Sequence, residues 1–257
     1  MTDRLPGLAP GDFAWITANS GLNQSEPPLV APPWSVAKNK TELDAIYFAP
    51  RRFSWRNRPS LAPVSYQGAN ATCVAHAACR MIETHYRQHG QTISLNAECA
   101  HQCIYGYACS MPAGLVSGVT DKLQIKGAPQ APGFVAGNAC PVNAALGLVA
   151  VPRLARNTSD AQTKSRIASS GPALAVLTLG SDFEHLAAPF VYRGLPAGSK
   201  TFNHAVLLIG YDDDDQGGMW ECQNSFGPGW GDHGYFHIPY AVAAVVSDDL
   251  HPTFSVA

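Results

Sequence analysis

No apolar run in this 257-residue chain approaches the roughly 20 residues that a membrane-spanning helix requires. Neither sign of charge dominates: 17 Lys and Arg stand against 19 Asp and Glu, a net charge of −2. No nucleic-acid or anionic-membrane partner is therefore expected. The first ten residues lack the basic-then-apolar layout of a secretory signal. Either the protein stays in the cytoplasm, or it leaves by a route that reads no such signal, or the signal has been removed. There is no internal repeat and no low-complexity tract. Cys99, Cys103 and Cys109, with His101 between them, lack the paired C-x2-C spacing of a structural zinc site. Local disulfides or reduced buried thiols are expected there, and no metal. The total of seven cysteines is odd, so at least one thiol stays free if the others pair within the chain. The run Asp212 to Asp215 lacks the alternating ligands of a calcium loop and reads as a solvated hairpin turn.

What is present suffices for a substantial core, with 46% hydrophobic and only 14% charged residues. Residues 1–50 differ from the rest. Seven prolines break up any long element, yet Phe13, Trp15, Trp34, Tyr47 and Phe48 are too apolar for a disordered tail. They read as an extended arm packed on the main body, with a turn or two of helix at 41–48. An extended lead-in follows at 51–66. Helical spacing then marks 73 to about 90, 92–107 and 113–125, and a short helix capped by Ser159. After Gly171-Pro172 the pattern changes to strands at 173–179, 189–192, 205–211, 219–224 and 235–238. Helices first and strands later predict an α+β protein of two segregated lobes. The expected division is an arm at 1–50, a helical lobe at 51–165 and a β-rich lobe at 166–257.

The stretch Gln67-Gly-Ala-Asn-Ala-Thr72-Cys73 runs from a loop into the first long helix. Val74, Ala77, Ala78, Met81 and Ile82 recur on one face, and Thr72 is placed to cap. Cys73 then sits in the first turn, where unpaired N–H groups and the helix dipole favour a thiolate. Gln67 lies on the loop into the same turn, and its amide can donate toward a carbonyl oxygen held beside Cys73. His76 follows three residues later and reads as a packed or solvent-facing helix residue rather than a second base.

Far along the chain, Asn203-His204-Ala-Val-Leu-Leu-Ile-Gly-Tyr211 and Met219-Trp-Glu-Cys-Gln-Asn224 flank a polar turn, so they pair as a hairpin. With Tyr211 opposite Met219, Val206 faces Asn224 and His204 faces Phe226. Cross-strand and diagonal neighbours lie roughly 5–8 Å apart, so Asn224 comes within reach of His204. An Asn oxygen can accept from a ring N–H and hold one imidazole tautomer. Nucleophile, base, orienter and oxyanion donor are then all present.

These blocks resemble the papain-like cysteine peptidases of the C1 type, in the same order. Phe53-Ser-Trp-Arg resembles the family's "DWR" lead-in, and Pro63 through Cys73 resembles "PVKNQGSCGSC". Asn203-His204-Ala-Val matches "NHAV", and Asn224-Ser-Phe-Gly-Pro-Gly-Trp230-Gly-Asp-His-Gly-Tyr235 resembles "NSWGTGWGENGY". The resemblance covers about residues 50–240. It implies a helical lobe and a β-barrel-like lobe with the cleft between them. It also implies Cys73 as nucleophile, His204 as its proton partner, Asn224 as orienter and Gln67 as oxyanion donor. Met111, Pro112, Asn203 and Phe226 become the expected substrate contacts. No cofactor is implied, and a monomer acting on peptide or protein substrates is expected.

The departures from the family pattern are specific. Val74 and Phe226 stand where Trp is usual, and Asn70 replaces a stapling cysteine. Cys109-Ser-Met111-Pro112-Ala-Gly114 replaces the substrate-gripping "GCxGG". None removes a catalytic group. Two rivals share the pattern: an acyl transferase or amide synthase using the same acyl-enzyme, and a non-catalytic binding protein on this scaffold. The family's zymogens also carry an occluding prosegment; this arm is short and lacks that prosegment's long helical pattern, and part of residues 1–50 is expected to pack against the lobes, in or near the cleft.

Overall fold

The computed structural model describes residues 49–105, 128–129, 148–149, 154–157, 159–195, 200–215, 217–246 and 254–256. The arm, the expected helix at 113–125 and the Met111-Pro112 segment lie outside them. Four helices are described: α1 (Cys73–Gln88), α2 (Ala97–Tyr105), α3 (Asp160–Ser169) and α4 (Tyr240–Val246). The strands are β1 (Arg52–Ser54), β2 (Ala128–Pro129), β3 (Leu148–Val149), β4 (Leu154–Arg156), β5 (Ala173–Gly180), β6 (Thr201–Asp212), β7 (Met219–Gln223), β8 (Tyr235–Pro239) and β9 (Phe254–Val256). Seven of them form one antiparallel sheet in the order β4-β9-β5-β6-β7-β8, with β1 added alongside β6. This is the expected two-lobed α+β architecture. Two sheet strands, β1 and β4, come from before residue 166.

Helix α1 buries Cys73 through Ala78, Met81 and Ile82, and packs against β6. It begins where the sequence places it, with Thr72 at the N-cap position. The Thr72 side chain makes no capping hydrogen bond, because its φ/ψ of −109°/16° departs from the extended cap conformation. Ser159, extended at −160°/160°, does cap α3 by accepting from Gln162 N–H. A buried Glu83 carboxylate ties α1 to the segment before α2. It accepts from Arg80 at 2.6 Å and from the Leu95 backbone N–H at 2.7 Å. No strand forms at 189–192; Val191 instead makes one isolated parallel bridge to His237.

The β6–β7 hairpin departs from the predicted register at its turn and recovers it near the site. Tyr211 faces Trp220 and Asp212 faces Met219, one residue out of step. An irregularity between Leu208 and Gly210 absorbs the offset, and Leu207 then faces Gln223 as predicted. The acidic turn is pinned as well as solvated. Arg51 and Arg52 pair with Asp214, and Lys164 and Tyr240 both donate to Asp213.

At the bulge, β1 lies so close to β6 that a Cβ on Gly210 would meet Phe53 O at 2.5 Å and Ser54 Cα at 3.0 Å. Both obstacles are backbone, so neither can swing aside. Gly210→Ala should therefore cost about 2 kcal/mol, as overpacking does, read as a lower urea midpoint at unchanged slope.

Candidate active site

Four chain segments converge here. Cys73 opens α1, buried and not disulfide-bonded. His204 lies on β6, fully buried, on the strand against which α1 packs. Asn224 follows β7, and Gln67 lies on the loop before α1, both also buried.

The tautomer of His204 follows from its neighbours. Asn224 Oδ1 receives the backbone N–H of Ser225 at 2.8 Å and lies 2.7 Å from His204 Nε2. An N–H cannot donate to an amide nitrogen, so that atom is the oxygen, and His204 Nε2 must be the donor. In the neutral ring the lone pair is then on Nδ1, which is buried and has no hydrogen-bond partner. Nδ1 is the atom left for a thiol proton.

Phe226, expected to stand in for Trp, does cover this bond. Its ring centroid is 4.8 Å from that of His204, and it is 3% exposed. Phe183 backs both rings at 6.1–6.2 Å and packs on Trp230 at 4.9 Å and Phe236 at 5.0 Å. Sequence reasoning missed Phe183, which sits in a short 3-10 turn (Ser181–His185) with no local motif around it. The aromatic shell has an electrostatic result. Burial pushes the His204 imidazole down from 6.5 to about 4; the Asn224 hydrogen bond opposes that shift and His76 adds to it.

A second ladder joins the loop before α1 to the segment after β7. Tyr66 bridges Phe226, Gln67 N–H donates to Ser225 O at 2.9 Å, and Gly227 N–H donates to Ser65 O at 3.0 Å. Ser225 Oγ also donates to Gln67 Oε1, on the side of the amide away from the Asn70 carbonyl, which can only accept and so fixes the amide's orientation. Gln67 Nε2 donates to Asn70 O at 2.7 Å, which commits one of its two hydrogens to its own loop and leaves one. Ser225 is a second positioning residue that motif reading passed over, although its place beside Asn224 was a usable signal. Among the expected substrate contacts, Asn203 is half-buried and accepts from Thr178 at 2.7 Å; Phe226 lies against His204; Met111 and Pro112 lie outside the described residues.

Cys79 and Cys222 are the other thiols outside disulfides among the described residues. Burial pushes Cys79 up to about 12 and Cys222 well above its ordinary value, which disfavours a thiolate at either. Cys99 is disulfide-bonded. Among the described residues no cluster of three or more His, Cys, Asp or Glu is placed to hold a metal ion.

Stability should fall on mild acidification. The unfolded imidazole takes up its proton near pH 6.5, whereas the folded one resists to about 4. Between these values the unfolded state binds more protons, so stability present above about pH 6.5 is lost as pH falls toward 4, up to roughly 3 kcal/mol. Thermal unfolding over this window should show the loss, and His204→Leu should flatten it.

Residues 49–248 match the family described as "Papain family cysteine protease". Ananain from Ananas comosus is 26% identical over 221 residues, covering 81% of this chain and 63% of that protein. The chain spans about three-fifths of the length of such curated relatives. Among solved structures, procathepsin B S9 from Trypanosoma congolense superposes with a TM-score of 0.72 at 17% identity, covering 95% of this chain and 88% of that one. Bromelain protease from Ananas comosus, in complex with the E64 inhibitor, gives 0.62 at 23% identity, covering 80% and 98%. With the family match spanning most of its length, the chain belongs to the papain family of cysteine proteases.

Proposed function

We propose that the protein is a cysteine peptidase that cleaves peptide bonds through a Cys73 thioester. The carrying observation is the His204 ring itself. Its Nε2 is spent on Asn224, and its buried Nδ1 lone pair lies on the strand that packs against the helix opening with the Cys73 thiol. The thiol proton passes to Nδ1, creating thiolate and imidazolium together. Burial disfavours either charge alone, so the two titrate as one unit.

The thiolate attacks the substrate carbonyl carbon, and the carbonyl oxygen becomes an oxyanion. The remaining hydrogen of Gln67 Nε2 and the first-turn N–H of Cys73, which has no place in the helical i→i−4 ladder, hold that oxygen. Nδ1–H then protonates the amine, which leaves, and the acyl group stays on Sγ. Nδ1 next takes a proton from water, the resulting hydroxide attacks the thioester, and the acid departs as the proton returns to sulfur. No step calls on a cofactor.

The test is labelling by a peptidyl epoxide, read by intact mass and peptide mapping. One adduct on Cys73 and none on Cys79 or Cys222 is expected, with His204→Ala slowing labelling by at least about a hundredfold. A Cys73 that stays unlabelled both in the full chain and after deletion of residues 1–45 would contradict the reading and favour a non-catalytic scaffold. If added amines capture the acyl group faster than water does, the activity is acyl transfer instead.

The arm at 1–50 belongs to the same proposal. Its place before the β1 lead-in, and the pro-form named in the procathepsin relative, support a cleft-covering role. Deleting residues 1–45 should raise the labelling rate. An unchanged rate would rule out an inhibitory arm.

A further inference from the structure

Between α1 and the β6–β7 pair lies a small cavity of about 10 Å³. That is about the space one water requires. It is lined by His76 and Arg80 of α1, by Asn224 and Ser225, by Ser65, and by the apolar edge of β6. His76 and Arg80 are four apart on α1, on the stripe that begins with Cys73.

Three of these residues carry a buried nitrogen without a hydrogen-bond partner: His76 Nδ1, Arg80 Nε and Asn224 Nδ2. Other polar atoms of the same side chains have partners elsewhere. His76 Nε2 pairs with Glu98 Oε1 at 3.2 Å, Arg80 Nη2 bonds Glu83 and Leu95 O, and Asn224 Oδ1 bonds His204 and Ser225. Three unpaired polar groups on residues that line one small cavity each carry a desolvation penalty unless something pairs them.

The donor and acceptor types sort themselves. Asn224 Nδ2 and Arg80 Nε can only donate. With Nε2–H of His76 directed to the Glu98 carboxylate, Nδ1 of the neutral ring can only accept. Two donors and one acceptor match a water, which accepts twice and has two hydrogens to give. One hydrogen goes to Nδ1. The other suits the lone pairs of Ser225 Oγ, whose own hydrogen goes to Gln67.

We propose that this cavity is a binding site for one ordered water, and that His76, held by Glu98, acts through that water as a positioning residue for Asn224. Anchoring Nδ2 on one side keeps Oδ1 turned to His204 on the other. The positioning role rests on the reading of Asn224 as the orienter of a catalytic His204; the water site does not.

Two variants separate the roles of the His76 ring atoms. His76→Asn places an acceptor oxygen near the Nδ1 position, whereas His76→Gln keeps a donor toward Glu98 and loses the acceptor. In crystals of the full chain, a water peak within about 3.3 Å of the three nitrogens is expected in the wild type and in His76→Asn, and not in His76→Gln. Epoxide labelling of Cys73 should fall roughly tenfold in His76→Gln, with His76→Asn within about threefold of wild type. The His204 Nε2–H proton resonance should exchange faster with solvent in His76→Gln, a change that general loosening of α1 would spread to His76→Asn as well. No water peak in the wild type overturns the site. Equal labelling in His76→Gln and wild type overturns the positioning role. A wild type that holds the water yet is never labelled keeps the site and overturns the catalytic reading alone.

Discussion

The hydrogen bond from His204 Nε2 to Asn224 Oδ1 is the interaction on which the site depends. It commits one ring nitrogen, leaves the other with a lone pair, and does so in a ring buried from bulk solvent. A solvated histidine would tumble between tautomers and titrate near its ordinary value. Here Phe183, Phe226 and Trp230 pack around the hydrogen-bonded side of the ring, and the same burial that depresses the imidazole makes a charge on it depend on a nearby anion. Fold and chemistry meet in that dependence: a thiolate at the start of α1 and an imidazolium on β6 are each costly alone.

Such a pair must be held in place from both lobes, and the backbone does this. The strip from Ser65 to Gly227 is a short antiparallel ladder between the loop that leads into α1 and the segment that follows Asn224. It fixes Gln67 relative to Asn224 without long side chains, and Ser225 locks the orientation of the Gln67 amide. On the far side of β6, the close approach of β1 at Gly210 and the ion-paired turn after Asp212 hold the hairpin's other end.

The proposed catalytic constellation was legible because it depends on order and local context: a cysteine at a loop-to-helix junction, a histidine on one strand of a hairpin and an asparagine just after the other. The hairpin register was legible only near the site, since nothing in Ile209-Gly210 announces which residue a bulge will absorb. Thr72 has the residue type of a cap and the position of one, yet a backbone turned away from the cap geometry withholds the bond. Phe183 and the His76–Glu98 pair were hidden for a different reason. Their significance comes from what tertiary packing puts beside them, and residues 22 positions apart carry no mutual signal in sequence.

The central claim is that Cys73 and His204 form one buried, coupled pair. The rate of alkylation by iodoacetamide, followed from about pH 3 to about pH 10 with mapping of the adduct, tests it most directly. A coupled pair reaches high reactivity through a step far below the ordinary thiol value near 8.5. A rate that stays low and rises only toward 8.5 would describe an isolated buried cysteine and contradict the account.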